Sequence, residues 1–258
     1  MNLGLAGKVA LVFGGSRGIG AASARALGEE GAKLALTARS VEALQPMVET
    51  LADALPLVAD LTQAGAAEQA VKAVLDRHGG LDLAVISAGA AQGGDFEQLG
   101  DEVWTEALSL KFMGMIRALR AVIPAMRESG GGRIVVIVGN NGRQPNGRML
   151  PGSAANAACL AVVRGLADEV ARDNIRINAL NPGPTRTDRW QGLIERLSTA
   201  QSRSFDDVER DMLSAQPLGR IAEADEMGRL AVLMLSDAAD MLVGASLTAD
   251  GGATKGIG

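Results

Sequence analysis

The 258-residue chain contains no tyrosine, one cysteine and one histidine. The missing tyrosine excludes any mechanism that uses a phenol as acid or base. A single cysteine forbids an internal disulfide, so Cys159 is expected to be a reduced, packed thiol of a cytoplasmic protein. One His and one Cys supply no ligand set for zinc or non-haem iron, and no metal is expected. No apolar run reads as a membrane span, and Met1–Lys8 lacks the basic and apolar regions of a signal peptide, so no membrane association is expected. Positive charge is in deficit: the net charge of -5 gives no electrostatic reason to expect nucleic acid or an anionic membrane as partner.

What the chain has in excess is glycine, 33 residues, about twice the ordinary share. A hydrophobic fraction of 47% excludes a disordered chain. Short apolar runs too brief for helices recur at Lys8–Phe13, Lys33–Thr37, Leu55–Ala59, Leu81–Ile86, Arg133–Val138 and Ile175–Leu180. Helical periodicity fills the gaps at Ile19–Glu30, 41–53, 64–77, 101–128, 153–172 and 223–235. Unbroken apolar strands alternating with helices predict a parallel sheet covered on both faces, an α/β fold of the doubly wound Rossmann type with about seven strands. No linker or repeat divides the chain, so 1–258 reads as one domain. The stretch 184–216 breaks the rhythm with short helical pieces at Trp190–Leu197 and Phe205–Leu213. Since ligands of open α/β sheets bind beyond the carboxyl ends of the strands, it is expected to act as a substrate lid.

The first strand runs into Gly14-Gly15-Ser16-Arg17-Gly18-Ile19-Gly20 and then a helix. Glycines there permit a tight turn and a close approach of backbone N–H groups to a pyrophosphate, which the helix N-terminus also favours. About twenty residues on, where an acidic side chain would hold the ribose of NAD, stand Ala38-Arg39-Ser40. Arg39 and Arg17 offer two cations for a 2′-phosphate, so NADP(H) is expected in preference to NAD(H). Asp60, followed by Leu61 at the end of the third strand, is placed to accept a hydrogen bond from adenine, or else serves only a surface turn.

These residues resemble those of the short-chain dehydrogenase/reductase family, and the likeness covers nearly the whole chain. It extends through Ile86-Ser87-Ala88-Gly89, through Asn181-Pro182-Gly183-Pro184-Thr185-Arg186-Thr187, and to Asp250-Gly251-Gly252 after a final strand. The resemblance implies NAD(P)-dependent hydride transfer on a small-molecule substrate, in a homotetramer or homodimer. It places Ser87, Ala88, Gly89, Pro182, Gly183, Thr185 and Thr187 against the cofactor, the last four on its nicotinamide side. Phe13 stands where the family usually has Thr, removing a hydroxyl that steadies the glycine turn.

The likeness stops at the chemistry. In the family a Tyr is the acid/base, a Lys lowers its pKa, a Ser steadies the substrate oxygen and an Asn supports a water relay. Anchored on Leu166-Ala167, the Tyr position is Gly152 and the Lys position Asn156; anchored on the fifth strand, the Ser position is Gly139. The Asn position is Lys111. Trp104, Leu108, Lys111 and Met115 share one face of a continuous helix by their spacing. One reading is that the cation lost at 156 has moved to 111, where desolvation would suit it for proton transfer. Otherwise Lys111 reaches the surface or pairs with Asp101 or Glu106. Asn140, Asn141, Arg143 and Arg148 are expected at the rim of the site. Ser153 reads as a helix N-cap and His78 as a charge complement to a helix end.

Two functions follow from different classes. One is an atypical NADP-dependent oxidoreductase acting on a carbonyl or alcohol, with Lys111 and Asn156 as tentative catalytic residues. The other is a catalytically inactive NADP(H)-binding relative serving as a regulatory or scaffolding partner. A lyase or isomerase with bound cofactor is a third reading.

Overall fold

The computed structural model describes residues 2–51, 53–87, 89 and 92–256. Its chain runs β1 (Val9–Phe13), α1 (Gly18–Glu29), β2 (Lys33–Ala38), α2 (Gln45–Thr50), β3 (Leu55–Val58), α3 (Ala66–His78), β4 (Leu83–Ile86), α4 (Asp101–Ala107) and α5 (Gly114–Glu128). It continues through β5 (Gly132–Ile137), α6 (Leu150–Val170), β6 (Ile175–Pro182), β7 (Thr185–Arg186), α7 (Asp188–Gln201), α8 (Phe205–Ser214), β8 (Ala222–Glu223), α9 (Ala224–Leu235) and β9 (Ser246–Ala249). Seven strands form one parallel sheet in the order β3-β2-β1-β4-β5-β6-β9.

Alternate residues of each strand face opposite layers. Leu11, Phe13, Ala84, Ile86, Val136 and Ile177 pack beneath α3, α5 and α6. Ala10, Val12, Leu36, Val85 and Leu180 pack beneath α1, α2 and α9. Burial on both sides is why these strands read as continuous apolar runs. Each buried Leu, Ile or Phe contributes roughly 1.5–3 kcal/mol. The strand order reverses between β1 and β4, and the crevice above that point is where such a sheet binds its ligand.

Four readings of the sequence are corrected. The helix expected over 41–53 shrinks to Gln45–Thr50, because Ser40 Oγ accepts from Ala43 N in a preceding turn and Asp53 adopts a left-handed φ of 60°. The continuous helix expected over 101–128 is interrupted by a π-helical turn, Leu108–Met113. That turn rotates the later residues, so the apolar stripe breaks: Leu108 is exposed while Met115 is buried. The helix expected from 153 begins at Leu150, with Pro151 in its first turn. Ser153 is therefore not a cap; it is buried and its Oγ accepts from Asn146 N at 3.3 Å. Finally, the helical stretch Gly147–Asp173 is long and apolar enough to cross a membrane by length and composition. It is laid on the sheet, with Ala155, Cys159, Val163, Ala167 and Val170 buried, and Arg164 and Asp168 pair on its outer side.

The excursion after β6 carries its own small core of Trp190, Ile194, Val208 and Ile221. β7 pairs with β8 to close its base. Glu209 holds the piece together, accepting from Trp190 Nε1 at 2.7 Å and pairing with Arg186 at 2.9 Å.

Candidate functional site

The glycine turn between β1 and α1 is shaped by steric need. A Cβ at Gly20 would lie 2.1 Å from the Gly14 carbonyl oxygen, so only glycine lets the helix start beneath the turn. Arg17 occupies the N-cap of α1 without a side-chain cap bond, which leaves the first-turn N–H groups, those of Gly18 and Ile19 among them, free for an anion. Ser16 and Arg17 lie in the turn itself, with Arg17 exposed. The hydroxyl missing at position 13 is supplied from the next strand. The Thr37 side chain, 1% exposed, accepts from Gly14 N at 3.3 Å, and its carbonyl accepts from Gly15 N at 2.9 Å. Sequence reasoning missed Thr37, which carries no motif; its role depends on strand pairing, which sets Thr37 against Phe13.

At the other end of the crevice Arg39 is exposed just beyond β2, and Ser40 caps the turn after it. Among the described residues neither Arg17 nor Arg39 forms an ion pair. Asp60 Oδ1 accepts from both the backbone N (2.9 Å) and Oγ1 (2.8 Å) of Thr62, and these bonds hold its carboxyl below the usual range. Leu61 is buried, and its carbonyl accepts from Arg117 Nη1 at 2.8 Å. Ser87 N bonds the Phe13 carbonyl, and the Ser87 Cβ would lie 3.2 Å from a Cβ at Gly20. Ala88 lies outside the described residues. From the far side, Pro182 ends β6, Gly183 packs on Asp250, and Thr185 Oγ1 bonds the Gly183 carbonyl at 3.0 Å. Thr187 stands at the N-cap position of α7 without a side-chain cap bond, and comes within 3.4 Å of a Cβ at Gly18. The segments 14–20 and 182–187 thus meet, with Ser87 against the glycine turn. The free N–H groups of the glycine turn and Arg17, with Arg39 beyond β2, fit a dinucleotide with phosphates.

Lys111 sits in the π-helical turn and points inward. Its Nζ donates to the Val138 carbonyl at 2.7 Å and to Asn156 Oδ1. Neither the surface nor Asp101 or Glu106 takes it. Asn156 is 5% exposed on α6. The two side chains therefore meet, one from each helix, beside Gly139, whose φ of +126° leaves a Cβ no room better than 3.0 Å from Asn156 Nδ2. Burial pulls the Lys111 ammonium down to about 8, with Cys159 opposing the shift and Arg189 adding to it. Burial pushes the Cys159 thiol up to about 11, which makes it the inert, reduced thiol expected.

The rim differs from expectation. Asn140 Nδ2 donates to Asp250, just after β9, and Arg143 Nη1 to the carbonyl of Ser246, the first residue of β9, so both tie their loop to that strand. Arg148 pairs with Asp95, and its carbonyl accepts from Gly94 N at 2.9 Å, which joins the loop after β4 to the loop before α6. His78 is the last residue of α3, and burial, with Arg77 and Lys33 nearby, lowers its pKa, which works against a charge at the helix end.

Comparison with known proteins agrees with this geometry. Residues 14–254 match the family model described as "Enoyl-(Acyl carrier protein) reductase". The 3-oxoacyl-[acyl-carrier-protein] reductase FabG of Escherichia coli is 31% identical, over 95% of this chain and 97% of its own. The NADPH-dependent reductase BacG of Bacillus subtilis is 27% identical over 97% and 99%. The structure of L-sorbose reductase from Gluconobacter frateurii, complexed with NADPH and L-sorbose, superposes with a TM-score of 0.94 and 30% identity over the whole of both chains. By its glycine turn, its sheet order and these matches, the chain belongs to the short-chain dehydrogenase/reductase family.

Proposed function

We propose that the protein is an NADPH-dependent oxidoreductase that reduces a carbonyl or oxidises the corresponding alcohol, with Lys111 in place of the absent phenol. The observation that carries it is the hydrogen bond between half-buried Lys111 and buried Asn156, with the Lys111 stem packed against Gly89. When bound, the nicotinamide supplies or accepts the hydride. The N-terminus of α1 and Arg17 would hold the diphosphate, and Arg39 the 2′-phosphate. Pro182, Gly183, Thr185 and Thr187 would line the nicotinamide side. Lys111 Nζ has three N–H bonds, of which Val138 and Asn156 take two. The third serves the substrate oxygen. With a pKa near 8 the ammonium is mostly protonated at neutral pH yet acidic enough to give its proton to a developing alkoxide. Asn156 acts as a positioning residue that fixes the amine. Gly152 leaves the space of a Tyr to the substrate, and the 184–216 excursion closes over it as a lid.

The competing reading, an inactive NADPH-binding regulatory partner, draws on the Arg148–Asp95 bridge that joins the two loops over the site. NADPH oxidation over a panel of ketones, aldehydes and quinones separates the two. Turnover that falls above pH 8, and falls by about 100-fold or more in Lys111→Ala, supports catalysis by Lys111. Clear NADPH binding with no turnover favours the inactive reading, and full activity in Lys111→Ala removes Lys111 from the mechanism. A homo-oligomer is part of the same proposal, supported by the apolar residues Leu233, Met241 and Leu247 left exposed beside the sheet edge. Light scattering on the purified protein measures it.

A further inference from the structure

Arg189 lies outside every motif read from the sequence. It stands in the first turn of α7 and donates from Nη1 to the Gly89 carbonyl at 3.3 Å. A side chain of the excursion thereby reaches the loop that follows β4. Two residues earlier, Thr187 touches the glycine turn. The guanidinium is thus carried across the mouth of the crevice whose floor is the uncapped N-terminus of α1. Its neighbours in charge are Arg17, Arg196 and, deeper, Lys111, all of which repel it, and among the described residues no carboxylate pairs with it. A set of like charges around one opening is unfavourable alone and is completed by an anion.

The chemistry of that anion is set by the floor. Free backbone N–H groups at a helix N-terminus match phosphate oxygens, and a guanidinium forks onto the same group. We infer that Arg189 is a clamp on the diphosphate of the bound dinucleotide, one that leaves the Gly89 carbonyl and draws α7 over the cofactor when the nucleotide enters. The inference rests on the NADPH reading given above. It differs in kind from the role of Arg39. NADH carries the diphosphate without the 2′-phosphate, so the two arginines are separable by ligand.

The test compares wild type, Arg189→Met, Arg189→Lys and Arg39→Ala, titrated with NADPH and with NADH by ligand fluorescence. Arg189→Met is expected to weaken both dinucleotides by about tenfold or more, leaving their ratio as in wild type. Arg189→Lys falls between, and Arg39→Ala weakens NADPH alone. NADPH should also protect the α7–α8 segment from thermolysin in wild type but not in Arg189→Met, with the ligand-free melting temperature of the two alike. Binding of both dinucleotides by Arg189→Met within twofold of wild type overturns the inference. So does a loss confined to the KM of an acidic substrate, which would put the anion on the substrate. Wild type that binds neither dinucleotide overturns the cofactor assignment itself, and this inference with it.

Discussion

Replacing Lys111 by Met keeps the aliphatic stem and removes the charge, and its effect on stability divides into two parts with different pH signatures. The fall in the Lys111 pKa from 10.5 to about 8 corresponds to about 3 kcal/mol of differential cost for burying the charged form. Folded Lys111 holds its proton less tightly than the unfolded residue does. The destabilisation is therefore complete below pH 8 and is relieved as the pH rises towards 10.5. Removing the amine also leaves the Val138 carbonyl and Asn156 Oδ1 without their donor, at about 1–3 kcal/mol that does not vary with pH. At pH 7 the two parts nearly cancel. Urea unfolding of both proteins at intervals from pH 7 to pH 10 isolates them, because subtraction removes the titrations that Lys111 does not perturb; Cys159, which Lys111 does perturb, is replaced by Ala in both proteins. The wild type is expected to gain on the variant by up to about 1.4 kcal/mol per pH unit between 8 and 10. A difference that stays flat within about 0.5 kcal/mol over that range would refute a desolvated ammonium at 111 and the proton transfer built on it.

Two more changes probe the cofactor cleft. Gly20→Ala forces a methyl to within 2.1 Å of the Gly14 carbonyl, so NADPH binding measured by fluorescence should fall by at least about tenfold while the sheet still forms by circular dichroism. Thr37→Val removes the acceptor of Gly14 N and buries no new group; about 1–2 kcal/mol of stability should be lost in urea, with weaker NADPH binding, and an unchanged variant would show that the turn needs no support from β2.

The layered fold was legible because burial on both faces writes itself as continuous apolar runs at β1, β2, β4, β5 and β6, and the glycine turn follows the first of them. Boundaries slipped where local chemistry outweighed periodicity. Ser40 captured the backbone ahead of α2, and a π-helical turn shifted the face of the long helix, which no count of three and four can register. The cofactor candidates of the glycine turn were read from their spacing, and those at 87–89 and 182–187 from the family resemblance. The partners of Lys111 were not, since Val138 and Asn156 lie 27 and 45 positions away and meet it only through the packing of α6 on the sheet. Thr37 escaped for the same reason. Arg143 and Asn140 were read as rim residues, and their bonds to Ser246 at the start of β9 and Asp250 after it could not be read from the sequence, since the strands meet only in the fold.

The contact between Lys111 and Asn156 also makes the two positions mutually dependent in any series of substitutions. Asn156→Lys alone would set two ammoniums against each other in a buried place, whereas Lys111→Asn alone would set two amides together, and amides can bond in either sense. Exchange of the pair is therefore passable in one order and blocked in the other. The fitness of a change at either residue is defined only when its partner on the facing helix is named.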